Sequence, residues 1–136
     1  MILLTDTLLT RLSRNRLARI AARRAGREEP DPVPVVKLFN PLGPATWLAT
    51  ELEADGDTLF GLADLGFGCP ELGSFSLAEL AGLRLPFGLG IERDLAFATT
   101  SPLSLWADSA RHVGSIQIAQ RLIARAERGH GTPSDR

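Results

Sequence analysis

The residues best placed to do chemistry in this 136-residue chain are one short run, Ile91-Glu92-Arg93-Asp94-Leu95-Ala96-Phe97, and one upstream lysine, Lys37. Read as a β-strand, the run alternates its side chains. Ile91, Arg93, Leu95 and Phe97 then share one face, and Glu92, Asp94 and Ala96 the other. Two carboxylates at i and i+2 could hold a magnesium ion or act as an acid–base pair. A third oxygen ligand would have to come from Glu71, Asp64 or Glu51, and none stands at a metal-ligand spacing. A solvated strand face is the simpler account of the pair. Arg93 is the odd member of an apolar face. A buried guanidinium without a partner is expensive, so it should meet a carboxylate, with Glu71 and Glu79 the candidates, or else a ligand's carboxylate or phosphate. Lys37 could pair with Glu92 or Glu51, contact a phosphate, act as a desolvated base, or guard an open strand edge.

The other residue types that often carry chemistry stand alone. Cys69 is the single cysteine, so no internal disulfide can form, and the composition suits a reducing compartment. His112 and His130 lack partners at zinc spacing. The segment GFGCPELG at 66–73 is not a phosphate-binding loop of the G-x-x-x-x-G-K-[ST] type. FGLGIERD at 87–94 enters a strand, the wrong context for a dinucleotide fingerprint. Ser74 and Ser76 stand in GSFS, not in a nucleophile elbow. No cofactor and no metal is implied.

Charge is segregated beneath a formal net of -1. Residues 1–27 carry seven arginines and one acid, 28–108 three basic and thirteen acidic residues, and 109–136 five arginines and two acids. Basic ends lying on an acidic body account for this simply. Arg11, Arg14, Arg19 and Arg23 are the candidate anion contacts. At about 100° per residue they spread around a helix rather than form one stripe, and no aromatic residue interleaves with them to stack on bases.

These residues need elements to position them. Thr5 or Thr7 can cap a first helix, which Ser13 and Asn15 weaken in the middle and Gly26 ends. EEPDPVP at 28–34 is an extended connector. Strands are expected over 33–39, 46–52 and 58–63, the last two joined through Asp55-Gly56 in the clearest hairpin of the chain. A brief strand at 74–76 leads into a helix over 77–82, marked by the capping box Ser76-x-x-Glu79. The last strand covers 91–97. A C-terminal helix follows Pro102, with Ile116, Ala119, Leu122, Ile123 and Ala126 on its apolar face. It stops at Gly129, and the tail 129–136 is expected to be disordered. The order of elements predicts an α+β fold, a small antiparallel or mixed sheet with helices at both ends. No stretch is long and apolar enough for a membrane span or a signal peptide.

VVKLFNPLGPATWLATE at 35–51, DTLFGLADLGFGCPELGSFSLAEL at 57–80 and FGLGIERDLAF at 87–97, in this order, resemble a small bacterial family catalogued as domain of unknown function 2958. The resemblance covers residues 33–98. It implies a compact α+β module of a family common on plasmids and other mobile elements, without an established activity. The positions that match its pattern are Lys37, Trp47, Glu71, Phe75, Glu79, Glu92, Arg93 and Asp94. The arginine-rich segment 1–27 and the helical extension 101–128 then read as additions to that core.

The expectation is a non-enzymatic accessory or interaction protein of the bacterial cytoplasm with a protein partner. One alternative is nucleic-acid binding through the arginine-rich first helix. Another is a metal-dependent phosphoryl-transfer or nuclease-like enzyme using Glu92, Asp94 and Lys37.

Overall fold

A computed structural model describes residues 2–131. Five strands form one sheet in the order β4-β3-β2-β1-β5, every pair antiparallel. They are β1 (Val36–Phe39), β2 (Thr46–Leu52), β3 (Thr58–Asp64), β4 (Glu71–Ser76) and β5 (Glu92–Arg93). Helix α1 (Asp6–Arg24) precedes the sheet, α2 (Leu77–Gly82) follows β4, and α3 (Leu103–Val113) and α4 (Ile116–Gly131) follow β5. The α+β expectation holds, with the sheet wholly antiparallel.

The sheet is covered on both faces. Leu38, Trp47, Ala49 and Leu59 pack with Leu3, Leu4 and Leu12 of the N-terminal segment, Leu80 of α2, and Ile91. On the other face Leu48 and Leu62 pack with Trp106, Ala107 and Ala110 of α3 and Ile116, Ala119 and Ile123 of α4. This explains why β2 is buried along its whole length. A strand covered on both faces buries every residue rather than every second one.

The short helix over 77–82 and its Ser76 cap form as the pattern predicts, with Ser76 Oγ accepting from the Glu79 N–H at 3.1 Å. Several boundaries differ, each for a physical reason. Helix α1 is unbroken, because Asn15 does not compete with the helix backbone but donates its side-chain amide to Thr50 O at 2.9 Å. The first strand begins at Val36, the proline-rich approach to it being extended, with Val35 N–H bonded to Ala49 O and Pro32 O accepting from the Leu103 N–H of α3 rather than from a neighbouring strand. β4 starts three residues earlier than 74–76, at Glu71, since β3 supplies a full-length partner.

The strand expected over 91–97 shrinks to two residues. Phe97 N–H bonds Asp94 O at 3.2 Å, which turns the chain after Asp94. Ile91 and Phe97 therefore pack on opposite sides of the sheet, and Leu95 is exposed. The single C-terminal helix is two, broken at Gly114, whose φ of 77° closes α3 with an N–H bond to Ala110 O. α4 continues through Gly129 to Gly131. The rest of the tail lies outside the described residues.

Candidate functional site

β1 turns Lys37 toward α4, because its register partner Leu48 belongs to the α3–α4 core. The Asp94 N–H bonds Lys37 O at 3.0 Å, one rung beyond β5, and this sets the Asp94 side chain beside that of Lys37. Lys37 Nζ lies 3.3 Å from Asp94 Oδ2 and donates to Gln120 Oε1 at 2.8 Å. It also stands 5.7 Å from the centre of the Phe39 ring, within cation–π reach. The other Asp94 oxygen accepts from the Ala96 N–H at 3.0 Å.

Over this group opens a cleft of about 540 Å³. Lys37 and Phe39 supply its sheet side, and one face of α4 supplies the other, through Gln117, Gln120, Arg121, Arg125 and Arg128. Residues three and four apart on a helix are neighbours, so 117, 121, 125 and 128 form one row. The opposite face of α4 is buried through Ile116, Ala119 and Ile123. Glu127, the helix's only acid, accepts from Thr99 Oγ1, Thr100 N–H and Ser101 Oγ at 2.5, 3.0 and 2.7 Å. Burial pushes the Glu127 carboxyl up, but these hydrogen bonds outweigh it and hold the group below its ordinary value. That commitment leaves the arginine row without a counterion among the described residues. Among the described residues, Arg121, Arg125 and Arg128 have no ion pair or hydrogen-bond acceptor.

Residues 3–117 match the family model described as protein of unknown function (DUF2958). The chain belongs to the DUF2958 family. The match is wider than the stretch 33–98 that carries the resemblance, taking in α1 and α3, so neither stands outside the family's own sequence. Lys37 and Asp94 fall inside it, and the arginine row of α4 lies beyond it. No curated protein and no solved structure matches the chain.

The DUF2958 chain scatters the other polar candidates. Arg93 does turn toward the apolar side, opposite Leu38, but it reaches neither Glu71 nor Glu79. Its guanidinium donates to the carbonyls of Ile2, at 3.2 Å, and Leu3. The reason is topological. Glu71 lies on β4 and Arg93 on β5, at opposite edges of the sheet. Glu71 and Glu79 are both exposed. Trp47 is buried against the α1 side, with Phe75 packed at its margin. Lys37 pairs with neither Glu92 nor Glu51, because Asp94 is nearer along the ladder and Glu51 is held at 3.0 Å by Arg19. Glu92 shares an edge with Phe39 but does not line the cleft.

The N-terminal arginines divide into used and unused. The Arg19 Nε–H is shared between both oxygens of buried Glu51, Arg16 reaches Glu53 at 3.3 Å and Arg23 reaches Glu29 at 3.1 Å. The hydrogen bond to Glu51 also raises the pKa of Arg19 further. Arg11 and Arg14 are exposed and line shallow hollows beside the connector and β1.

Sequence reasoning in this DUF2958 member did not single out Gln117, Gln120, Arg121, Arg125 and Arg128. The signal was present as the helical spacing of three arginines on the face opposite the apolar one. What the spacing could not show is that Lys37, over 80 residues earlier, lies beneath them. Among the described residues no group of three or more His, Cys, Asp or Glu side chains could hold a metal ion, and no helix is long and apolar enough to cross a membrane.

Proposed function

We propose that this protein is a non-enzymatic binding module whose ligand site is the α4–β1 cleft, and that the ligand presents anionic groups. One observation carries the reading: three guanidiniums with no acidic partner among the described residues line one wall of a cleft that has the Lys37–Asp94 pair at its floor. Arginine is suited to this, since its planar fork meets phosphate or carboxylate oxygens two at a time. The polar residues of the β1–β5 corner support a binding role over a catalytic one. Lys37 and Asp94 neutralise each other, which leaves neither as a free base, and both Asp94 oxygens are engaged. An accessory role in the bacterial cytoplasm, on a mobile element, belongs to the same proposal and is supported by the family resemblance.

Pyrophosphate titrated into isotope-labelled full-length protein tests the site. The expected result is chemical-shift change at the side chains of Arg121, Arg125, Arg128 and Gln120, abolished in the R121E/R125E double variant. Those arginines are exposed, so the fold should be kept. Shifts confined to Arg11 and Arg14, or none at millimolar pyrophosphate, would refute the reading.

A further inference from the structure

Resting on that anion reading, we infer that the cleft takes the backbone of a single-stranded nucleic acid, with α4 as the rail along which the strand runs. The first argument is shape. A compact anion such as free phosphate is best held by donors converging on one point. Arg121, Arg125 and Arg128 instead stand in a line, spread along about 10 Å of helix at 1.5 Å per residue. A line of guanidiniums that are exposed and have no partner among the described residues matches a ligand whose charges repeat along its length.

The second argument is the floor. Lys37 is recessed, its side chain 14% exposed, and the Phe39 ring lies beside it. The rigid outer surface of a duplex cannot lower a group past the arginines to that depth. A flexible single strand can. The acidic body of the protein, thirteen acids against three basic residues over 28–108, also repels a long duplex lying across it.

The third argument is the chemistry between floor and rail. A phosphate needs donors only. Gln117, whose side chain has no hydrogen-bond partner among the described residues, offers both a donor and an acceptor, and among those residues the Gln120 amide N–H groups have no acceptor while its oxygen is held by Lys37. Carboxamides of this kind suit the mixed donor and acceptor edges of bases. The arginine-rich first helix, the more obvious place for nucleic acid, is the poorer one. Three of its arginines, Arg16, Arg19 and Arg23, are already engaged by Glu53, Glu51 and Glu29, and of those left Arg24 stands about 15 Å along the helix from Arg14, so they form no continuous row.

Fluorescence anisotropy of a labelled twelve-residue oligothymidylate, with the full-length protein at 50 and 200 mM salt, decides the matter. Single-strand contacts release about 0.7 counterion per neutralised phosphate, so three arginine contacts predict affinity falling about 20-fold between the two salt concentrations. R125Q should weaken binding and reduce that ratio to about 7-fold. R24Q, on the first helix, should leave both unchanged. A duplex of equal length should bind more weakly than the single strand. The inference is overturned if pyrophosphate shifts the α4 arginines while the oligothymidylate does not bind. It is equally overturned if inorganic polyphosphate or a phosphorylated acidic peptide binds more tightly than the oligonucleotide. Both those results leave the anion reading standing. If neither pyrophosphate nor the oligonucleotide perturbs α4, the two readings fall together.

Discussion

A carboxylate can hold a fold together without meeting a cation. Asp64 is 2% exposed, yet its partners are two backbone N–H groups, Gly66 at 2.8 Å and Ile116 at 2.9 Å. The second opens α4, where the helix dipole favours a negative group. One side chain at the end of β3 therefore aims the helix that carries the arginine row. Asp64→Ala would strand both donors, one of them buried, and should cost about 3 kcal/mol. Urea melts of the variant would measure this. A loss under about 1 kcal/mol would mean that water replaces the carboxylate without penalty. Arg93 illustrates the same economy in reverse, since its guanidinium ties the chain entry at Ile2 and Leu3 to the sheet through carbonyls alone.

Elements here are shaped by one irregularity. The β2–β3 ladder shifts register between Ala49 and Glu51. A bulge leaves backbone groups without ladder partners, and the tertiary structure supplies them. Thr50 O accepts from Asn15 of α1, and Thr50 Oγ1 donates to Phe60 O at 3.3 Å. Gly61 faces Ala49 at this point, and a Cβ there would lie 1.8 Å from Leu48 O. That neighbour is backbone in a strand buried along its whole length and cannot step aside. Gly61→Ala should therefore disrupt the central hairpin. The expected result is loss of cooperative unfolding, or a drop of more than 4 kcal/mol, well beyond the ordinary effect of one substitution. Gly73→Ala is the comparison, since nothing lies within 4 Å of a Cβ at that position, and it should fold like the parent. Equal behaviour of the two variants would show that the ladder can relax around the bulge.

At the scale of the whole molecule, the helical layers are tied to the sheet by acids as well as by apolar packing, and this has a pH signature. Glu127 fastens α4 to residues 99–101, and its carboxyl is held below the ordinary 4.5. A group with a lowered folded pKa binds fewer protons when folded than when unfolded, so stability falls as pH drops. Its contribution is fully present above about 4.5 and is lost as pH falls through the folded value. Asp55 follows the same sign at the β2–β3 turn, where the Thr58 N–H and hydroxyl and the Asp57 N–H hold its carboxyl at about 2. Melting the parent and Glu127→Gln between pH 7 and pH 3 should show the parent losing its advantage on acidification. A constant difference across that range would show that Glu127 does not titrate with folding.

Local patterns were legible because local physics decides them. The Ser76 cap, the turn at Asp55-Gly56, the helix over 77–82 and the apolar face of α4 all follow from residues within a few positions of each other. The α+β class followed from their order. The strand expected over 91–97 was not decided this way, since Asp94 turns the chain as soon as β5 has paired with β1. Nor was the partner of Arg93, because an apolar face is visible in sequence while the carbonyls that meet it come from some 90 residues away. The candidate site belongs to tertiary structure for the same reason. Lys37 and the α4 arginines become one cleft only when β1 lies inside the sheet and Asp64 aims α4 across it, and both depend on contacts between residues far apart along the chain.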